Sequence, residues 1–194
     1  MATLSQTLQQ MTPVSFAQNT SLAQSWMSEQ VGGVNSINAS SLLKDTERLV
    51  TSIEIGKMYL FTYDAKTKNL PYHDRFPLIF PFNTAKGGFY GINMHYLPHM
   101  MRAKLMDALL SLANNTLMND TTKLKMSYEV LNGASKFGYF KPCVKHYLNS
   151  QVKSRFLSVP SHQWKTALFL PLEQFVGATK QQVHRDSKRI IQGR

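Results

Sequence analysis

The run Arg75-Phe76-Pro77-Leu78-Ile79-Phe80-Pro81-Phe82 sets the strongest limit on how this chain folds. Proline has no N–H to give to a sheet ladder, and two prolines four apart in extended backbone lie on one face and point their nitrogens the same way. The segment is therefore expected to be a strand at a sheet edge. Upstream, Lys57-Met58-Tyr59-Leu60-Phe61-Thr62-Tyr63 also reads as a strand, with Tyr59, Phe61 and Tyr63 facing opposite to Met58, Leu60 and Thr62, so that both faces are apolar. Asp64 to Pro71 reads as a polar loop and Asn83 to Gly88 as a turn. Phe89 to Leu97 gives a third strand, in which Gly91 permits a bulge or sharp bend. Three short strands with a kink predict a small SH3-like antiparallel barrel over 50–97.

Helical spacing dominates the second half. Pro98 suits a first helical turn, and Met101, Leu105, Leu109 and Leu112 recur on one face to about Ala113. Asn119-Asp120 caps a second helix bearing Leu124, Tyr128 and Leu131, and Gly133 fits its end. Pro142 opens a third, with Val144, Leu148 and Val152 as its buried stripe. Trp164 to Leu170 is short and apolar, a strand or a buried turn. A last amphipathic helix spans Thr179 to Gln192, with Val183 and Ile190 inward and Lys180, Arg185, Lys188 and Arg189 outward. The expected fold class is α+β, the barrel being followed by a basic helical domain over 98–194.

Residues 1 to 43 differ from everything after them: Gln, Ser, Asn and Thr supply 21, and the one charge is Glu29. Such a stretch buries too little apolar surface to offset its own conformational entropy. Apolar side chains still punctuate it, among them Leu8, Phe16, Leu22, Trp26 and Val31. This predicts an N-terminal arm over 1–49, with short helices near 4–11 and 21–31, that takes shape against a partner.

Charge is distributed unevenly. The net charge is +11, and residues 99–194 carry 15 basic against 5 acidic residues. Between Val130 and Leu172 there is no acidic residue at all. A local excess of this kind is a poor free surface and a good partner for a polyanion or an acidic protein face. Basic and aromatic residues alternate in Lys136-Phe137-Gly138-Tyr139-Phe140-Lys141 and Lys145-His146-Tyr147, a pattern that offers phosphate contacts beside a stacking surface. The candidate nucleic-acid-binding residues are Lys136, Tyr139, Lys141, Lys145, Lys153 and Arg155. No zinc finger, RRM signature or basic zipper is present, which argues against sequence-specific reading.

Enzyme chemistry finds little support. The glycines match neither a phosphate-cradling loop nor a dinucleotide fingerprint, and there is no G-x-S-x-G elbow. His95, His99, Cys143 and His146 are the one candidate ligand set, but His-x-x-x-His across Pro98 is not a helical pair and Cys-x-x-His lacks a second cysteine. A Cys143–His146 nucleophile pair has no third group to orient the imidazole. No catalytic residue, metal or cofactor is expected. The lone cysteine rules out an intramolecular disulfide, no apolar run reaches the roughly 20 residues of a membrane span, and the first basic residue is Lys44, unlike the front of a signal peptide.

One string is distinctive: Gly56-Lys57-Met58-Tyr59, Tyr63-Asp64, Leu70-Pro71-Tyr72, Asp74-Arg75-Phe76-Pro77-Leu78, Gly88-Phe89-Tyr90-Gly91-Ile92-Asn93, His95-Tyr96-Leu97-Pro98 and Arg102-Ala103-Lys104-Leu105-Met106-Asp107. It resembles a family of small basic virion proteins of T-even-like contractile-tailed bacteriophages, associated with DNA-end protection or with the baseplate and neck. The likeness continues through Phe140-Lys141-Pro142-Cys143 and Leu168-Phe169-Leu170-Pro171, and leaves the arm outside. It implies a virion protein assembled in the host cytoplasm, with other phage virion proteins as partners, double-stranded DNA as a further candidate partner, and no membrane. The leading expectation is a non-enzymatic structural protein of the tail baseplate or neck that locks neighbouring subunits through its arm. The alternative is a protein that binds DNA ends or the packaged genome through its basic half.

Overall fold

The structure is a computed structural model, and it describes residues 42–67, 69–97, 102, 106, 109, 115–136 and 138–193. The predicted arm, with Leu8, Phe16, Leu22, Trp26 and Val31, lies outside the described residues, as does His99.

Six strands form one antiparallel sheet. In chain order the elements are β1 (Leu49–Val50), β2 (Met58–Leu60), β3 (His73–Asp74), β4 (Leu78–Ala85), β5 (Gly88–Asn93), α1 (Asp120–Lys136), β6 (Val144–Leu148), β7 (Phe156–Val159), α2 (Trp164–Phe169), β8 (Phe175–Val176) and α3 (Lys180–Ile191). The sheet order is β1-β7-β2-β4-β5-β6, and β3 and β8 pair separately. Alternation along β2 sorts the core as the sequence predicts. Met58 and Leu60 join Leu78, Phe80, Ile92 and Leu157 on the face covered by Leu131 of α1, Trp164 of α2 and Val183 of α3. Tyr59, Phe61 and Tyr63 join Ile79, Phe89, Tyr147 and Phe156 on the other.

That second cluster bends the sheet. Three strand spacings separate β7 from β5, about 14 Å in a flat sheet, yet the Phe156 and Phe89 rings lie 5.9 Å apart. Phe61 sits among them, 5.0 Å from Phe156 and 5.4 Å from Tyr147. The curl stops short of the expected SH3-like barrel, because β1 and β6 do not pair. The chain after β2 bonds instead to the β6–β7 connection, through Lys153 N–H to Thr62 O and Asp64 N–H to Gln151 O. The fold is α+β, with an open sheet.

Five further expectations change. The proline-bearing strand is not an edge: β4 lies between β2 and β5. Pro77 precedes the strand, while Pro81 falls where the ladder to β5 shifts register, between Pro81 and Asn83. A bulge frees one position from the ladder, so the missing N–H costs little there. Gly91 pairs with Pro81 across that bulge rather than carrying it. The third helix predicted from Pro142 is absent; Gly138–Cys143 is a 3-10 segment and Val144–Leu148 is strand β6, completing the sheet from the half of the chain expected to be helical. Val144, Leu148 and Val152 share a face at strand as well as at helix spacing, which is why periodicity misled there. Trp164–Phe169 is a short helix rather than a strand. Gly133 lies inside α1 rather than at its end.

Other local signals hold. Asn119 Oδ1 accepts the Thr122 N–H at the start of α1, and Thr179 caps α3 through Gln182 N–H. Along α3, Val183 is buried as expected, whereas Ile190 is 43% exposed. Arg102, Met106 and Leu109 lie in helical backbone with their side chains fully buried.

Candidate functional site

A buried polar chain lies between the sheet and α3. Asp74, from the strand β3 that pairs with β8, takes two hydrogen bonds on each oxygen: Phe76 and Gln174 N–H on Oδ1, Asn93 Nδ2 and His95 Nδ1 on Oδ2. The His95 contact is 2.7 Å. Asn93, at the end of β5, also donates to the Tyr147 hydroxyl of β6 and accepts the His95 N–H, closing the turn that follows the strand. Next to it, Arg102 donates Nε to Leu97 O, one Nη to Leu168 O and the other to His95 O and Glu173 Oε1. Lys180 of α3 reaches the same Glu173 oxygen at 3.0 Å. Buried charge persists in proteins only when paired and hydrogen-bonded in this way.

His184 of α3 completes the set, its Nε2 donating to His95 O at 3.0 Å. Burial, with the Arg102 and Lys180 charges in support, lowers its pKa to about 4. The ordinary value is about 6.5, so between pH 6.5 and 4 the unfolded chain binds a proton there that the folded chain does not, and stability falls as pH drops through that window. His184→Gln keeps a donor but removes the titration. The difference in melting temperature between pH 7 and pH 5 is expected to shrink in this variant relative to the parent; an unchanged difference would show that His184 does not set it.

On the outer side of Asp74 the chain opens into a cleft of about 360 Å³ along β6, lined by Tyr63, Lys66, Tyr72, His73, Tyr96 and Lys145, among others. The Lys145 ammonium lies 3.9 Å over the Tyr96 ring. It has no carboxylate in ion-pair range among the described residues, and burial lowers its pKa. Burial likewise raises that of the Tyr96 phenol. Tyr72 packs on Tyr96 and Phe175, and His146 packs on Tyr90 at the exposed rim.

The predicted binding residues separate into two groups. Lys136 ends α1 and Lys141 sits in the 3-10 segment, both exposed. The segment packs against both α1 and α3. On α3, Arg185, Lys188 and Arg189 share the outer face at i, i+3 and i+4, opposite the buried Val183 and Ser187. Lys145 follows in the cleft. Lys153 and Arg155 lie past the other end of β6, exposed, Arg155 lining a separate groove with Thr51, Ile53 and Phe89. The side chain of Tyr139 is outside the described residues. The outward face of α3 was legible from its periodicity. The cleft was not, because His73, Lys145 and Tyr96 come together only through the pairing of β5 with β6 and of β3 with β8.

The other candidate chemistry does not assemble. Cys143 is fully buried, and burial pushes its thiol up to about 12, away from the thiolate a nucleophile needs. His146 is exposed on β6, so the two do not share the helix face expected of them. Among the described residues no three His, Cys, Asp or Glu side chains group to hold a metal, and no helix is long and apolar enough to cross a membrane.

Comparison with known proteins separates the two functional expectations. The chain matches no curated protein and no solved structure. The family model described as phage T4 terminal DNA protecting protein matches residues 6–190, so the likeness takes in most of the N-terminal segment as well as the residues after it. It favours the DNA-end alternative over a baseplate or neck role. Matched over nearly its whole length, the chain belongs to the phage T4 terminal DNA protecting protein family.

Proposed function

We propose that this protein binds the ends of linear duplex DNA through phosphate contacts that do not depend on sequence, and shields those ends as part of the phage particle. The observation that carries this reading is the match to a DNA-protecting family in a chain that exposes several cations without carboxylate partners. Lys136, Lys141, Arg185 and Lys188 are exposed, and none has a carboxylate in ion-pair range among the described residues. Unpaired surface cations of this kind favour a polyanion, because phosphate contacts release condensed counterions. The shielding is stoichiometric and non-enzymatic in this reading. The baseplate or neck role gains nothing from the family match, and the arm it depends on lies outside the described residues.

Salt decides the matter. With roughly four to six phosphates neutralised, the affinity for an open-ended duplex is expected to fall with a log–log slope of about −4 to −5 in salt concentration. Fluorescence anisotropy with a blunt duplex and with the same duplex closed by hairpins at both ends measures this directly. The open duplex is expected to bind more tightly. No binding at low salt, or equal affinity for the open and closed forms, overturns the proposal.

A further inference from the structure

The cleft beside β6 has features that the core does not need. Its volume, about 360 Å³, lies at the small end of the range for ligand pockets, about 300–1,000 Å³, and admits a single nucleotide but not a duplex. Lys145 enters it half-buried and without a carboxylate partner among the described residues, so a partly dehydrated cation faces the space. His73, which is partly exposed, also lines the cleft. Lys66 stands exposed at the mouth. The cleft's own carboxylate, Asp74, makes no ion pair with Lys145 or Lys66; its oxygens take their hydrogen bonds from Phe76, Gln174, Asn93 and His95. Half-buried Tyr72 in the wall and the exposed His146 at the rim offer flat surfaces for a base.

We propose that this cleft receives the terminal nucleotide of a DNA strand, its 5′-phosphate held by the Lys145 ammonium with Lys66 at the mouth, and its base against Tyr72. The proposal rests on the DNA-end reading and assigns that reading its recognition site. A 5′-terminal phosphate is a monoester and carries more negative charge than an internal diester, so a site with one desolvated cation and a second cation at its mouth favours it. Taking a base out of the stack costs least at a terminus, where it stacks on one side only.

Three blunt duplexes of one sequence test it by anisotropy on the full chain: 5′-phosphorylated, 5′-hydroxyl, and hairpin-closed. The 5′-phosphorylated form is expected to bind about tenfold more tightly than the 5′-hydroxyl form. Lys145→Gln is expected to erase that difference and to lower affinity for the hairpin-closed form far less than affinity for the 5′-phosphorylated form. Lys66→Gln, at an exposed position, is expected to reduce the difference and serves if Lys145→Gln does not fold. Equal affinity for the phosphate and hydroxyl ends overturns this inference, as does a preference that survives both substitutions, even where open ends still bind better than closed ones. Equal affinity for open and closed forms removes the DNA-end reading itself.

Discussion

Arg102→Met is expected to lower the unfolding free energy by about 3–5 kcal/mol, the range found when one partner of a buried ion pair is removed. Against a typical total of about 5–15 kcal/mol, that brings the protein close to unfolding. Methionine fills much of the space, so the loss comes from polarity rather than from a cavity. The carbonyls of Leu97 and Leu168 lose the Arg102 donor and His95 O keeps His184, while Glu173, whose side chain is 2% exposed, keeps Lys180 as an ion-pair partner. Those carbonyls lie on the turn after β5, on α2, and on the residue that His184 of α3 also contacts. One side chain thus ties three elements together, and its removal loosens all of them.

Urea denaturation checks the figure. A 3–5 kcal/mol loss at an m-value of about 1–3 kcal/mol/M moves the midpoint by about 1 M at the least. A shift under about 0.3 M would show that the guanidinium is not structural. The Arg102→Met, Glu173→Gln double variant is expected to be less destabilised than the sum of the two single variants, since both single changes remove the same Arg102–Glu173 pair.

Arg102 also marks where sequence reasoning ran out. Its contacts at Leu168 and Glu173 lie 66 and 71 residues away in sequence, and as one basic residue in a basic half it carried no local sign of burial. Asp74 and His95 are hidden in the same way, 21 residues apart and joined only by the sheet. Signals that act within one element were legible. The alternating faces of Met58 to Tyr63 appear as two separate clusters, and Asn119 caps its helix. Val144 to Leu148 went the other way because apolar residues four apart satisfy both periods. Pairing with β5 decided for strand, a tertiary effect no local pattern carries. Pro81 misled for a related reason: a proline excludes a regular ladder position, but a bulge supplies an irregular one in the middle of the sheet.

Exchanging Lys141, Arg185, Lys188 and Arg189 together for Gln is expected to weaken binding to a linear duplex about a thousandfold near 0.1 M salt and to flatten the salt slope by about 3–4, close to 0.9 for each phosphate no longer neutralised. All four positions are exposed. The pairing of Arg189 with Asp186, at 3.9 Å on the surface, contributes little to folding, so the melting temperature is expected to stay within a few degrees of the parent. Weaker affinity with retained stability assigns the effect to the DNA-facing surface rather than to unfolding. Net charge alone would also weaken binding, and the second basic group separates the two causes. Lys153→Gln with Arg155→Gln removes two charges beyond the other end of β6, away from the α3 face. If the α3 face touches DNA, the slope changes about twice as much per charge removed in the fourfold variant as in this pair. Equal change per charge would mean that the DNA responds to the field of the whole protein, and that no particular face holds it.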